Sequence, residues 1–186
     1  ISGGASGIGE SLVRNFAAQG ARVGFVDIQE KSGRALESEI LDLGRTVKFI
    51  PCDVTEIANY QNAIAEFAKT HGPARTLLNN AANDARHDWA EITPERWDAN
   101  HAVNLRHAFF AAQAVAPAMM AAGGGAIINF GSISWMTFTP DIPVYETAKA
   151  AMHGLSRALA GQFGKNGIRV NTIVPGWRSE ERRVGK

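Results

Sequence analysis

Several ordinary protein features are scarce in this chain, and each scarcity narrows what it can do. There is one cysteine, Cys52, in 186 residues. That excludes an internal disulfide and suits a reducing compartment, where a lone thiol reads first as a small buried hydrophobe. Net charge is almost absent, with 19 basic residues against 18 acidic ones, so no overall field recommends nucleic acid or an anionic membrane as a partner. The small excess sits at the end, where Arg178, Arg182, Arg183 and Lys186 face only Glu180 and Glu181. No run approaches the roughly 20 apolar residues of a membrane span, and no charged-then-apolar leader opens the chain. A soluble, cytoplasmic protein is the expectation. Metal-ligand spacing is missing too. His101 and His107 lie on different faces of one helix, His71 ends a helix where a cation suits the dipole, and His153 has no spaced partner, so no metal is expected.

What is present is alternation. At 45% hydrophobic content the chain supports one domain with a core, and short β-branched runs take turns with longer stretches of helical period. After a glycine-rich opening, "ESLVRNFAAQG" places Leu12, Val13 and Phe16 on one helical face, and "ARVGFVD" reads as a strand. "KSGRALESEILDLG", "EIANYQNAIAEFAKTHG", a stretch from about Pro94 to Met120 and "VYETAKAAMHGLSRALAGQFG" read as helices. "TVKFIPCDV", "ARTLLNN", "AIINF" and "IRVNTIV" read as strands. Such alternation predicts a doubly wound α/β fold, a parallel sheet covered by helices in three α/β/α layers, with active groups at the carboxyl ends of the strands. Trp89 and Trp97 fit helix packing. The alanine-rich faces around Ala108, Ala111, Ala112, Ala148 and Ala151 allow close helix approach.

Four places carry chemistry. In "SGGASGIG", Gly3, Gly7 and Gly9 let the backbone turn tightly and bring a pyrophosphate to a helix amino end; a plain strand-to-helix loop would look the same. Eighteen residues past Gly9 a strand ends in Asp27, suited to bind a ribose diol and repel a 2′-phosphate, or to cap a helix. With no basic residue beside it, NAD is favoured over NADP. Tyr145 and Lys149, four apart, share a helical face, where the ammonium would favour a phenolate. Ser132, thirteen residues before Tyr145, could polarise a substrate oxygen, with Ser134 a rival that reads better as a loop hydroxyl. Asn104 is a polar residue inside a helical pattern, either exposed or part of a proton relay.

These residues, from Ser2 to Gly9 through Asp53-Val54, "NNAA" at Asn79, Asn104, Ser132, Tyr145, Lys149 and Pro175-Gly176, resemble the short-chain dehydrogenase/reductase family in order and spacing over Ile1 to about Trp177. The resemblance implies a Rossmann fold and hydride transfer between a nicotinamide cofactor and an alcohol or carbonyl carbon. It makes Tyr145 the acid/base and Lys149 the group that lowers its pKa and holds the nicotinamide ribose. Ser132 would position the substrate oxygen, and Asn104 would hold a relay water. Gly3, Ser6, Gly7, Ile8 and Gly9 would cradle the phosphates, Asp53 and Val54 flank the adenine, Asn80 lie along the cofactor, and Pro175 and Gly176 border the nicotinamide. Ser2 and Ala82 depart mildly from the family's usual threonine and glycine. The family also implies a dimer of dimers built through its two long helices.

A closer likeness, carried by "NNAANDARHDW", "VNLRHAFFAAQAVAPAMM" and "GGGAIINFGSISW", is to the bacterial sugar 1-dehydrogenases of the family, which oxidise D-xylose, L-arabinose or D-galactose to lactones. Asn83, Asp84, Arg86 and His87 would then pair sugar hydroxyls, or else form ion pairs in a surface loop. Trp135 would stack on the sugar or pack in the core. Another secondary alcohol or a 3-oxoacyl thioester is the alternative substrate; a non-catalytic nucleotide-binding module or a non-folding fragment is the alternative role. Ile1 abuts the glycine turn without an initiator methionine, so the domain, residues 1–177, is expected to be incomplete at both ends. "RSEERRVGK", residues 178–186, resembles a translated sequencing adapter and is expected to be a non-native tail.

Overall fold

A computed structural model describes residues 1–137 and 139–176; the tail expected at residues 178–186 lies outside them. Along the described chain run α1 (Gly7–Ala18), β1 (Val23–Asp27), α2 (Glu30–Asp42), β2 (Val47–Pro51), α3 (Ile57–His71) and β3 (Thr76–Asn79). They are followed by α4 (Pro94–His101), α5 (His107–Ala121), β4 (Gly125–Phe130), α6 (Pro143–Phe163) and β5 (Ile168–Ile173). Strand pairing is parallel throughout: β1 with β2, β3 with β4, and β4 with β5. Ser2 joins the two halves, bridging in parallel to Val26 on one side and Asn79 on the other. The spatial order is therefore β2, β1, Ser2, β3, β4, β5. The chain winds outward from Ser2 in both directions, which puts a topological switch point and its crevice at the carboxyl ends beside Ser2.

Period-2 alternation sorts the core into two layers of side chains. Phe25 and Phe49, with ring centroids 5.0 Å apart, face Val13, Ala17, Leu36 and Ile40 from α1 and α2. Val26, Leu77, Ile127 and Val170 face the other way, onto Tyr60, Ala112, Val115, Met119 and Leu159 from α3, α5 and α6. The result is the three-layer α/β/α arrangement expected of the sequence.

Two expectations are corrected. Trp89 and Trp97 do not pack in helix interfaces: Trp89 stands in a short 3-10 turn (Trp89–Glu91) with 78% of its surface exposed, and Trp97 stacks on His101 with centroids 4.5 Å apart. The stretch from Pro94 is not one regular helix either. Between α4 and α5 it widens into a π turn, Ala102–Arg106, with Asn104 in the middle. Of the small residues on the long helices, Ala108, Ala111, Ala112 and Ala148 are fully buried within the chain, and Ala151 is exposed. No described helix is long and apolar enough to cross a membrane.

Candidate active site

A cavity of about 740 Å³ opens at the carboxyl ends of the strands. The turn leading into α1 lines it with Gly3, Ser6, Gly7 and Ile8, and the ends of β1 to β3 add Asp27, Asp53, Val54 and Asn80. Gly3 and Gly7 take positive φ, 64° and 54°, a region closed to most side chains. Gly9 sits behind the turn, buried, and a Cβ there would run into the Gly3 carbonyl oxygen. That close approach brings the first N–H groups of α1, which lack intrahelical partners, to the cavity wall as an anion cradle. Asn80 fastens the turn from below: its Nδ2 donates to the carbonyls of Ser2 and Gly3 at 3.1 and 3.0 Å, while Ser2 Oγ accepts from the Asn80 and Ala81 amides.

Asp27 is 7% exposed and doubly anchored, Oδ2 accepting from the Ala5 amide and Oδ1 from the Gln29 amide, each at 2.9 Å. It does not cap α2, whose N-cap is Gln29 without a side-chain cap bond; its Oδ1 instead orders the turn just ahead of the helix, and each oxygen can accept further hydrogen bonds. Asp53 is held similarly, Oδ1 accepting from Thr55 N at 2.8 Å. Cys52 lines the same wall, and burial, helped by the Asp53 charge, pushes its thiol up, away from nucleophilic character.

Ser132, Tyr145 and Lys149 face the cavity together with Asn83, Asp84, Pro175 and Gly176. Tyr145 lies in the first turn of α6, which Pro143 opens. One turn on, Lys149 is only 1% exposed; its Nζ donates to Phe130 O at 2.8 Å and stands 5.6 Å from the centre of the Tyr145 ring. Burial pulls the Lys149 pKa down to about 8, against the opposing pull of the Asp84 carboxylate. The ammonium is therefore still protonated at neutral pH, close to a phenol it can help ionise. Ser132 Oγ accepts from Ser134 N at 3.1 Å, which aims its own O–H as a donor. Behind the lysine, burial first and then the Lys149 charge push His107 down to about 3, so its imidazole stays neutral and adds no competing positive charge.

Asn104 is fully buried and does not line the cavity. Its Oδ1 accepts from the Asn83 amide at 2.9 Å, and its Nδ2 donates to Asn83 O and Asn100 Oδ1, also at 2.9 Å. The π turn is what swings this carboxamide toward the loop after β3. The side chain is thereby a clamp that presents Asn83 and Asp84 to the cavity.

The sequence profile of the short chain dehydrogenases matches residues 1–181. The chain belongs to the short-chain dehydrogenases. Its match to the family runs four residues beyond Trp177, where the resemblance was expected to stop. It is 47% identical over 184 residues to the "Probable galactose dehydrogenase" of Rhizobium meliloti strain 1021, covering 98% of this chain and 72% of that protein. It is also 47% identical over 176 residues to the D-xylose 1-dehydrogenase of Caulobacter vibrioides, covering 95% and 69%. Among solved structures, a gluconate 5-dehydrogenase from Burkholderia cenocepacia, in complex with NADP and tartrate, superposes with a TM-score of 0.89 at 34% identity, over 99% of this chain and 72% of that one.

Three candidate substrate residues of this short-chain dehydrogenase lie outside its cavity. Arg86 and His87 turn toward Pro140 and Asp141, with which they bond, and line a separate hollow. Trp135 meets His153 edge-on at 5.4 Å instead of capping the pocket. Conversely, Ile28, Gln29, Thr55, Ser134 and Ile142 line the cavity unforeseen. The first three directly follow strand ends or their turns, a position that alone marks a residue as crevice-lining in this topology. Ser134 was visible only as a rival to Ser132, and nothing in the sequence marked Ile142.

Proposed function

We propose that the enzyme is an NAD-dependent dehydrogenase that oxidises an aldose at C1 to its lactone. The observation that carries this is the make-up of one cavity, with Asp27 in the same wall as the glycine turn, and Ser132, Tyr145, Lys149, Asn83 and Asp84 facing the same space. Among the described residues Lys149 is the one cationic side chain lining it. A 2′-phosphate would meet the Asp27 carboxylate with no arginine or lysine beside it, which favours NAD even though a similar structure holds NADP.

The residues present fit a dinucleotide: a glycine turn folded too closely on itself and on Asn80 for side chains at Gly3 or Gly9, and a fixed carboxylate that can accept further hydrogen bonds. Bound along Gly3, Ser6, Gly7, Ile8, Asp27, Asp53, Val54 and Asn80, with its nicotinamide near Pro175 and Gly176, NAD⁺ would supply the hydride acceptor. Tyr145 as phenolate takes the proton of the C1 hydroxyl while C1 gives up its hydride and its C–O bond becomes the lactone carbonyl. Ser132 donates to the same oxygen, and Lys149 holds the phenolate form. Asn83 and Asp84 pair further sugar hydroxyls, and the named activities of the two sugar dehydrogenases above support that substrate class.

The site of action is proposed to be the cytoplasm, on the single-cysteine composition. Assembly as a dimer of dimers is supported by an open apolar patch formed by Leu105 of the π turn, Phe109 of α5, and Ala151 and Leu155 of α6. The functional test is a panel of aldoses and non-sugar alcohols with NAD⁺ and NADP⁺, following lactone formation. Turnover of an aldose with NAD⁺ is expected; oxidation of non-sugar alcohols alone, or a preference for NADP⁺, would overturn the reading.

A further inference from the structure

The π turn Ala102–Arg106 reaches two loops of the catalytic cavity at once. Val103 lines the cavity itself. Asn104 turns to the loop after β3, where it holds both backbone groups of Asn83 at 2.9 Å. Arg106 turns instead to the loop after β2: its Nη2 donates to Thr55 O at 3.1 Å, across 51 residues of sequence. Side chains two apart on a helix do not share a face, so one turn can grip two separate loops. Both loops belong to the cavity wall, one through Asp53, Val54 and Thr55, the other through Asn83 and Asp84.

The Thr55 carbonyl has no place in the helix that follows it. The first rung of α3 is made by Glu56 O, which accepts from Tyr60 N at 2.9 Å, so Thr55 O stands ahead of the ladder. The Thr55 amide is already engaged, donating to Asp53 Oδ1 at 2.8 Å. With Arg106 on the carbonyl, both backbone groups of Thr55 are held, and the residue keeps little of its conformational freedom. The guanidinium itself is not part of the cavity lining, and Arg106 also borders the apolar patch beside Leu105 and Phe109. It therefore acts on a ligand in the cavity only through Thr55.

We infer that Arg106 is a positioning residue for the dinucleotide. It fixes the loop at residues 53–56, against which the adenosine half lies, while Asn104 of the same turn fixes the loop that meets the sugar. The turn thus serves the two ligands through separate side chains, so cofactor affinity can be weakened without disturbing the sugar site. This rests on the NAD reading of the cavity.

The experiment titrates ADP-ribose, which carries the adenosine half without the nicotinamide, into the wild type, Arg106→Met and Arg106→Lys by calorimetry. Methionine keeps an apolar stem along the patch and removes the donor; lysine keeps the charge and can still donate. Arg106→Met is expected to bind ADP-ribose about fivefold more weakly than the wild type, and Arg106→Lys to stay within about twofold of it. The loss should persist in about 0.5 M salt, where a remote charge effect would be screened. With NAD⁺ saturating, kcat and the aldose KM of Arg106→Met are expected to remain within about twofold of the wild type. Unchanged ADP-ribose affinity in Arg106→Met, a loss that disappears in salt, or an aldose KM raised as much as the ADP-ribose Kd would each overturn the assignment. These titrations need no turnover, which separates the two readings. A wild type that binds no ADP-ribose overturns the cofactor reading and this assignment with it, whereas equal binding by wild type and Arg106→Met overturns the assignment alone.

Discussion

Replacing Lys149 with methionine is expected to stabilise the protein at neutral pH while removing its activity. The ammonium is 1% exposed, and burial lowers its pKa from 10.5 to about 8. At roughly 1.4 kcal/mol per pH unit, holding that charge inside costs about 3 kcal/mol. Because the folded value lies below the unfolded one, the cost is fully present below about pH 8 and fades as pH rises toward 10.5, where the unfolded chain also loses its proton. Methionine fills the same channel without charge, but it leaves Phe130 O without its donor, a loss of about 1–2 kcal/mol. The variant should therefore be about 1–2 kcal/mol more stable than the wild type at pH 7, equal between pH 8 and 10.5, and less stable above. Urea midpoints of both proteins across that range, at unchanged m-value, provide the measurement. Turnover at pH 7 should fall by about 10²–10⁴. A variant less stable at pH 7, by a margin that does not move with pH, would refute the reasoning.

Gly9→Ala places a Cβ against the Gly3 carbonyl and 2.7 Å from Asn80 Nδ2. It should therefore weaken NAD⁺ binding at least about tenfold in a fluorescence titration; unchanged affinity would contradict the cradle. Asn104→Ala releases both backbone groups of Asn83. It should cost about 1–3 kcal/mol in stability and raise the sugar KM, while the NAD⁺ dissociation constant stays close to that of the wild type. Asp27→Asn removes the charge opposing a 2′-phosphate and should narrow the preference for NAD⁺ over NADP⁺ by about tenfold or more in kcat/KM.

Local pattern made the architecture legible. Each strand from Val23–Asp27 to Ile168–Ile173 is a short β-branched or apolar run, and α1, α2, α3 and α6 carry a 3.6-residue period, so their order followed from periodicity; α5 is apolar on every side, and the stretch before it read as part of one helix. The glycine turn, Asp27 and the Tyr145–Lys149 pair were legible because their spacing is set within one βα unit or one helix turn. What escaped depends on contacts distant in sequence. Asn104 stood out as a polar residue in a helix, but the π turn around it left no mark in the local pattern, and its partner Asn83 lies twenty-one residues away. Arg86 and His87 part company with Asn83 and Asp84 because Asp141, more than fifty residues on, pulls them aside. Trp89 and Trp97 read as helix-packing residues, and only the folded chain shows them facing solvent.

The most direct measurement is oxidation of a C1-deuterated aldose by the wild-type enzyme and by Tyr145→Phe. The expected result is deuterium in the reduced nicotinamide, a slower turnover than with the unlabelled sugar, and loss of turnover by about 10²–10⁴ in the variant. Reduced cofactor free of deuterium, or a Tyr145→Phe enzyme as fast as the wild type, would contradict hydride transfer from C1 with Tyr145 as its base.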